Sequence, residues 1–302
     1  MKLLRILPLI AMLLCWGCGS ENSSSSSAPL AVSGLPPTAW IVQEIGGKYI
    51  TSVSLLPEGR SPHDYTPGPS VLRRASAAKL FFSCGMPFEK SAEKALRCEI
   101  TDVTKNISRI TFDISGEAHD HAACSHTHTD GSSCSSDGSD PHVWLSCDNV
   151  CTIAENITSA LSKTYPEHKA EFEKNLSALK LRFEVLKKEC SKKLAPYAGR
   201  PFFVYHPAFG YYAKEFGLKQ HSIELGGREV SASRLADVIK KAKAENVKVI
   251  FTQKEFNPRN SMVLAKETGS RCVGMDALAF DIEKNIRMMT DAIASGFGEA
   301  NK

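Results

Sequence analysis

The sequence predicts an α/β protein built as two Rossmann-like lobes, each around a parallel sheet, joined by one long rigid helix. Three observations predict it. From Leu30 onward short apolar runs alternate with helix-length amphipathic stretches, the pattern of βαβ units. With a leader set aside, roughly 280 residues remain, more than one small core needs, so two units are the natural division. Between Pro166 and Pro196 no Gly or Pro interrupts a segment whose apolar positions, Phe172, Leu176, Leu179, Phe183, Leu186 and Cys190, recur at intervals of four and three. That spacing makes one continuous helix face, and about 25 residues at 1.5 Å each reach nearly 40 Å, enough to run beside two lobes. The run is short for a self-associating coiled coil, which favours a linker.

The chain opens with Lys2 and Arg5, an apolar run from Ile6 to Trp16, and then Gly17-Cys18. A basic start, a short apolar core and a small residue at the break make a secretory signal over residues 1–18, too short to span a bilayer. Cys18 after Gly17 resembles a bacterial lipobox, with Cys15 standing where Leu is usual, so Cys18 is the expected lipidation site and the mature N-terminus. Residues 19–29 then read as a polar, Ser-rich tether.

Residues 30–165 form the expected first lobe, with strands at Ile50 to Leu55, Lys79 to Ser83 and Ile110 to Ile114, and a helix from Asp148 to Leu161. Within it, residues 115–140 turn sharply to His, Asp, Ser, Gly and Cys, with too little apolar surface to offset the entropy of ordering; an exposed, mobile loop is expected. The linker helix occupies residues 166–196. In the second lobe, residues 197–302, Phe202 to Tyr205, Val247 to Thr252 and Arg271 to Met275 read as short buried strands, and Ala232 to Ala244 and Asn260 to Glu267 as helices.

A formal charge of +4 with no basic block excludes nucleic acid as a natural partner. Two of the ten cysteines, Cys15 and Cys18, fall in the leader, leaving eight: Cys84, Cys98, Cys124, Cys134, Cys147, Cys151, Cys190 and Cys272. An even number in an exported chain permits disulfides, whose pairing spacing cannot assign. The CxxxC pair Cys147 and Cys151 reads as a disulfide or two buried thiols before it reads as a metal site.

Three histidines stand near turn signals. His63 follows a predicted strand in Ser61-Pro62-His63-Asp64; His142 lies in Asp140-Pro141-His142-Val143-Trp144, where the loop rejoins the lobe; His206 follows Phe202 to Tyr205 and precedes Pro207. His63 and His206 thus fall at carboxyl ends of strands, one in each lobe, where open α/β sheets bind ligands. Each alone reads more naturally as a hydrogen-bonded structural residue. Three neutral imidazoles together suit Zn²⁺, and with a pKa of about 6.5 they would let protons compete with metal below neutrality. The loop adds His119, His121, His126 and His128 among Glu117, Asp120 and Asp130, a loose, unorganised binder of divalent metal.

These segments resemble the periplasmic zinc-binding proteins of ABC importers, the ZnuA-like group of the cluster 9 metal-binding lipoprotein family. Ser54-Leu55-Leu56-Pro57-Glu58-Gly59 through His63, Pro141-His142-Val143-Trp144-Leu145 after an acidic His-rich loop, and Phe203-Val204-Tyr205-His206-Pro207 are similar to that family's three ligand motifs, and Val249 to Phe256 and Ala265 to Gly269 to its second-lobe segments. The resemblance covers nearly the whole mature chain. It implies one metal site between the lobes with His63, His142 and His206 as ligands. Its fourth ligand is Asp276 in Gly274-Met275-Asp276-Ala277-Leu278, a segment that departs from the family's Asp-Pro-Leu at Ala277; Glu224 or a water is the alternative. Pro62 stands where some zinc members carry a carboxylate, and Gln253 replaces a frequent Glu.

The resemblance further implies a monomeric, membrane-anchored lipoprotein of the periplasm or cell envelope. It would capture Zn²⁺ and hand it to the permease and ATPase subunits of an ABC zinc importer. The competing readings are a manganese or iron carrier of the same family, which usually lacks a His-rich loop; an adhesin-like metal-binding lipoprotein; and a zinc metalloenzyme, against which stands the absence of an HExxH segment or an evident general base. The expectation is a carrier rather than an enzyme.

Overall fold

The computed structural model describes residues 28–112, 118–120, 139–224 and 230–300. The leader, Cys18, most of the tether, and His121, His126, His128, Cys124 and Cys134 lie outside them. The first lobe runs β1 (Leu30–Ser33), α1 (Pro36–Gly46), β2 (Thr51–Ser54), α2 (Pro69–Ala75), β3 (Leu80–Ser83), α3 (Pro87–Ala95) and β4 (Glu99–Asp102). Its four strands pair in parallel in the order β2-β1-β3-β4. Pro36, Pro69 and Pro87 each open a helix, where a fixed φ is preorganised and the missing N–H costs nothing. In α3, Glu89 reaches back to the backbone N–H groups of Met86 (2.7 Å) and Cys84 (3.0 Å), closing the turn after β3.

Next come the antiparallel pair β5 (Ile110–Phe112) and β6 (Ala118–Asp120), then α4 (Cys147–Thr164) and α5 (Lys169–Leu194). Two expectations change here. Ile110 to Ile114 is not a strand of the parallel sheet, because β5 pairs with β6 instead. The segment 115–140 is also not unstructured throughout: β6 carries the backbone of His119 opposite Thr111, and Ser139 and Asp140 are buried.

The second lobe holds β7 (Pro201–Val204), α6 (Gly210–Glu215), β8 (Lys219–Ser222), α7 (Ala232–Ala244), β9 (Val249–Thr252), α8 (Arg259–Thr268), β10 (Arg271–Gly274) and α9 (Ile282–Ala300). Its parallel sheet has the order β10-β9-β7-β8. The expectation of a buried strand at Arg271 to Met275 is corrected: β10 is an edge strand with exposed or half-buried side chains. The strands β4 and β8, Glu-Ile-Thr-Asp and Lys-Gln-His-Ser, carry no apolar run, since their places come from pairing with β3 and β7 rather than from pattern.

The helix α5 has 26 residues, about 39 Å of axis. Phe172, Leu179, Phe183, Leu186 and Cys190 of its apolar stripe are buried and Leu176 is half-buried. It packs on α1 and α4 of the first lobe and α9 of the second. Arg182 pairs with Glu44 of α1 and with Glu283 of α9. Further hydrogen bonds tie the lobes directly. Glu215 of α6 accepts from the first two amides of α4, those of Cys147 (2.7 Å) and Asp148 (3.1 Å), where an anion also complements the helix dipole. The indole of fully buried Trp144 donates to the Ala277 carbonyl at 2.6 Å. Among the described cysteines, Cys84, Cys98, Cys147, Cys151, Cys190 and Cys272 are free thiols.

Trp144→Phe keeps an aromatic side chain but loses the indole N–H and leaves the buried Ala277 carbonyl unpaired, so it should cost at least about 1–3 kcal/mol of unfolding free energy, read from the urea midpoint.

Candidate metal centre

Each of the three histidines is held by the element next to it. His63 follows β2 through Leu55 and Leu56, whose amides donate to the carbonyls of Ser33 and Gly34 and so carry the chain past the end of β1. Ser61 Oγ then accepts the His63 amide at 3.2 Å. His142 enters a buried 3-10 turn, Val143–Leu145, anchored by the Asp140 amide on the Ile110 carbonyl. His206 leaves β7, and Gln253, leaving β9, accepts its amide at 2.8 Å. The strands β7 and β9 are the pair between which the crossovers of the second sheet change direction, the crevice where open α/β sheets take ligands.

The structure brings His63, His142 and His206 together, with one ring nitrogen from each lying within 4.8 Å of the others. Ring centroids are 5.4, 4.7 and 5.1 Å apart. His142 and His206 are each only 3% exposed. Trp144 meets the His142 ring edge-on and Phe256 stacks on His206 at 4.9 Å, closing the site with aromatic surface.

Hydrogen bonding fixes the tautomers. Asp140 Oδ1 accepts the His142 amide at 2.9 Å and lies 2.7 Å from Nδ1 of the same residue, so Nδ1 carries the proton. Glu224 Oε2 lies 2.6 Å from His206 Nδ1 and accepts likewise. Both Nε2 atoms are therefore left with lone pairs, and they face each other at 3.3 Å. Two acceptors at that distance repel unless something positive lies between or beside them. Zinc–nitrogen bonds of 2.0–2.1 Å arranged tetrahedrally set nitrogens about 3.3–3.4 Å apart, so the separation fits a zinc-sized ion. His63 adds two buried ring nitrogens with no hydrogen-bond partner.

Burial sets the charge states. Desolvation, reinforced by the neighbouring rings of His206 and His142, pushes His63 down to a pKa of about 2. The same burial, then His206, lowers His142 well below the ordinary imidazole value. Burial raises the Asp140 carboxyl well above the usual range, and its Oδ2 has no hydrogen-bond partner. His63 and His142 are thus neutral donors, beside a buried acid whose Oδ2 no hydrogen bond satisfies.

The fourth position is different. No carboxylate oxygen among the described residues joins the three nitrogens. Asp276 pairs instead with Lys254 at 2.8 Å and accepts the Leu278 amide at 2.8 Å. Glu224 stands behind His206 rather than facing the other rings. Of the loop histidines, only the backbone of His119 is described. Sequence reasoning assigned no role to Asp140, although an acid two residues before a histidine was its visible signal. It also passed over Phe256, which no spacing rule places on a ring 50 residues away.

Comparison with known proteins places the chain in a family. The family model for the zinc-uptake complex component A, periplasmic, matches residues 32–296. A provisionally named metal-binding protein of Chlamydia trachomatis is 26% identical over 293 residues, covering 97% of this chain and all of that one. The zinc-binding protein AdcA of Streptococcus pyogenes serotype M3 is 27% identical, with 96% of this chain matching 58% of AdcA. A crystal structure of ZnuA superposes with a TM-score of 0.79 at 29% identity, covering 89% of this chain and 99% of ZnuA. With two parallel sheets, a bridging helix and three converging imidazoles, this chain is a metal-binding substrate-binding protein, a carrier and not an enzyme, and it belongs to the family of periplasmic zinc-uptake complex A components.

Proposed function

We propose that the chain captures Zn²⁺ outside the inner membrane and delivers it to the permease and ATPase subunits of an ABC importer, as a monomer anchored through lipid on Cys18. The observation that carries this reading is the pair of buried Nε2 lone pairs 3.3 Å apart, with two unpartnered nitrogens of His63 beside them. Nitrogen donors and a small separation favour zinc over manganese, which prefers oxygen. The zinc in the names of AdcA and of the matching family model supports the same choice.

Capture needs no chemistry beyond ligand exchange. Zn²⁺ exchanges its waters for three imidazoles, two of which, His142 and His206, Asp140 and Glu224 already orient, so little ordering remains to be done on binding. Its charge compensates the buried Asp140. Release then requires the rings to be drawn apart, and because they come from both sides of the interface, a small displacement of one lobe suffices. The α5 helix, packed on both lobes, resists a wide hinge. The histidine-rich segment beyond β6 serves as a loose collector of zinc near the site.

Changing His63, His142 or His206 singly to Ala should weaken zinc binding at least about tenfold, measured by calorimetric competition with a chelator. Unchanged affinity in one variant would remove that residue from the site.

Deleting residues 121–138 should abolish the weak zinc equivalents and leave one tight equivalent, counted at saturation in oxidised and in reduced protein. Loss of the tight equivalent would mean that the segment supplies a ligand.

The depressed pKa of His63 gives a pH signature to the metal-free protein. In the unfolded chain His63 takes a proton below about pH 6.5, whereas the folded site refuses it down to a pKa of about 2. Stability is therefore lost as pH falls below 6.5. Relative to His63→Gln, the metal-free wild type should lose about 2 kcal/mol between pH 6.5 and 4.5, read from paired urea titrations. Equal pH slopes would contradict a buried neutral His63.

A further inference from the structure

We propose that Tyr211, with Glu215 one turn further on, positions His142 for the metal by gripping its segment from the other lobe; the inference rests on the metal-capture reading above. Ile110 of β5 lies opposite Asp140, since its neighbour Thr111 bridges antiparallel to Ser139. Residues opposed in an antiparallel ladder can exchange two backbone hydrogen bonds. Here one is made, from the Asp140 amide to the Ile110 carbonyl at 2.8 Å. The other is opened by a hydroxyl from the second lobe. The Ile110 amide donates to Tyr211 Oη at 3.3 Å, and Tyr211 Oη donates to the Asp140 carbonyl at 3.1 Å. Tyr211 is buried, and that burial, reinforced by Asp140, pushes its hydroxyl up to about 12, so it keeps the proton it donates.

Asp140 carries this grip to the metal site. Its Oδ1 accepts the His142 amide at 2.9 Å and lies 2.7 Å from His142 Nδ1. Beyond the ring the same segment is held again, where Glu215 accepts the amides of Cys147 and Asp148. Tyr211 and Glu215 stand at i and i+4 of α6 and so share one helix face, which grips the stretch from Asp140 to Cys147 at its two ends. The same helix packs on β5, on β6 and on the Val143–Leu145 turn. On its own side α6 is fastened to His206. The Ala208 amide donates to the His206 carbonyl at 2.9 Å, and the buried Gln220 side chain accepts the Phe209 amide at 2.6 Å. A short, fully bonded path therefore runs from one metal-site ring through α6 and Asp140 to another, across the lobe interface.

That path fixes a separation to which a metal is sensitive, because metal–nitrogen distances must hold within about 0.2 Å. Without the Tyr211 hydroxyl, the Ile110 amide and the Asp140 carbonyl are free to pair directly. Asp140 is then drawn toward β5, and His142 Nε2 leaves its place 3.3 Å from His206 Nε2. A tyrosine that served only to satisfy two buried backbone groups would instead change stability and leave the metal unaffected.

The test compares Tyr211→Phe and Tyr212→Phe with wild type in the full chain, by chelator competition for Zn²⁺, by the visible spectrum of bound Co²⁺ and by the urea midpoint of the metal-free protein. Tyr212 is the matched control, since its buried hydroxyl bonds Thr290 of α9 at 2.7 Å, within the second lobe. Tyr211→Phe should weaken zinc binding about tenfold and shift the Co²⁺ bands, the usual scale for losing a group that orients a ligand. Tyr212→Phe should lower the urea midpoint, change zinc affinity less than about threefold and leave the bands in place. Wild-type affinity and bands in Tyr211→Phe, with only the urea midpoint lowered, overturn the proposal. Should Tyr211→Phe fail to fold, Glu215→Gln decides, because it loosens the second grip without removing a ring: weaker zinc binding with shifted bands supports the proposal, and wild-type values overturn it. His142→Ala keeps the two readings apart. Zinc binding like wild type in that variant means that the three-histidine site itself has failed, whereas weak binding there beside wild-type binding in Tyr211→Phe removes only the positioning role.

Discussion

The structure depends on three imidazoles being buried together with their lone pairs convergent. Neutral rings can be buried without a large desolvation cost, but Nε2 atoms 3.3 Å apart repel each other unless a cation answers them. Everything near the site holds that unfavourable geometry in place. Asp140 and Glu224 fix two rings from behind, Gln253 pins the backbone of His206, and Trp144 and Phe256 close off water. The arrangement suits a metal carrier: burial keeps His63 and His142 uncharged, and hydrogen bonds aim His142 and His206.

The placement of the site ties it to both lobes. His63 and His142 belong to the first lobe and His206 to the second, so the coordination sphere is also part of the lobe interface. That interface mixes two kinds of contact. Glu215 at the start of α4 and Trp144 on Ala277 are buried and directional, and these set the register of the lobes. Arg182 to Glu44 and Glu283, and Lys254 to Glu58, are exposed or half-exposed pairs of small individual worth that can be remade after a shift. The α5 helix packs on α1 and α4 of the first lobe and on α9 of the second. Small movements about a stiff spine would change ring separations by enough to matter, because metal–nitrogen bonds tolerate only a few tenths of an ångström.

Metal choice follows from which atoms face the centre. Three nitrogens and at most one carboxylate make a site of borderline softness, suited to Zn²⁺ and poor for ions that prefer all-oxygen cages. On the oxygen side, Pro62 offers no donor, Gln253 is an amide that accepts the His206 N–H, and Lys254 pairs with Asp276 at 2.8 Å.

Much of the fold was legible in the sequence. The βαβ rhythm, the stripe from Phe172 to Cys190, and the helices α7 and α8 follow from local periodicity, which a helix or a buried strand cannot avoid displaying. What failed to show were the elements whose place is decided by a neighbour: β4 and β8 have no apolar run, β10 is an exposed edge, and β5 pairs backwards with a strand hidden in a polar, histidine-rich stretch. The three histidines were likewise visible one by one, through strand ends and family motifs, because a ligand's own turn is local. Spacing did not show their convergence, since 79 and 64 residues separate them; the family resemblance implied it, and the packing displays it. The sequence by itself determined the fold class and the residue types available to a metal. Tertiary structure alone decided which nitrogen of His142 and of His206 is left free, that Asp140 and Glu224 sit against the Nδ1 atoms of these rings, and that Lys254 holds Asp276. Each of these is a contact between side chains or backbone groups brought together by the fold, and proton position, orientation and ion pairing are properties of such contacts rather than of any residue alone.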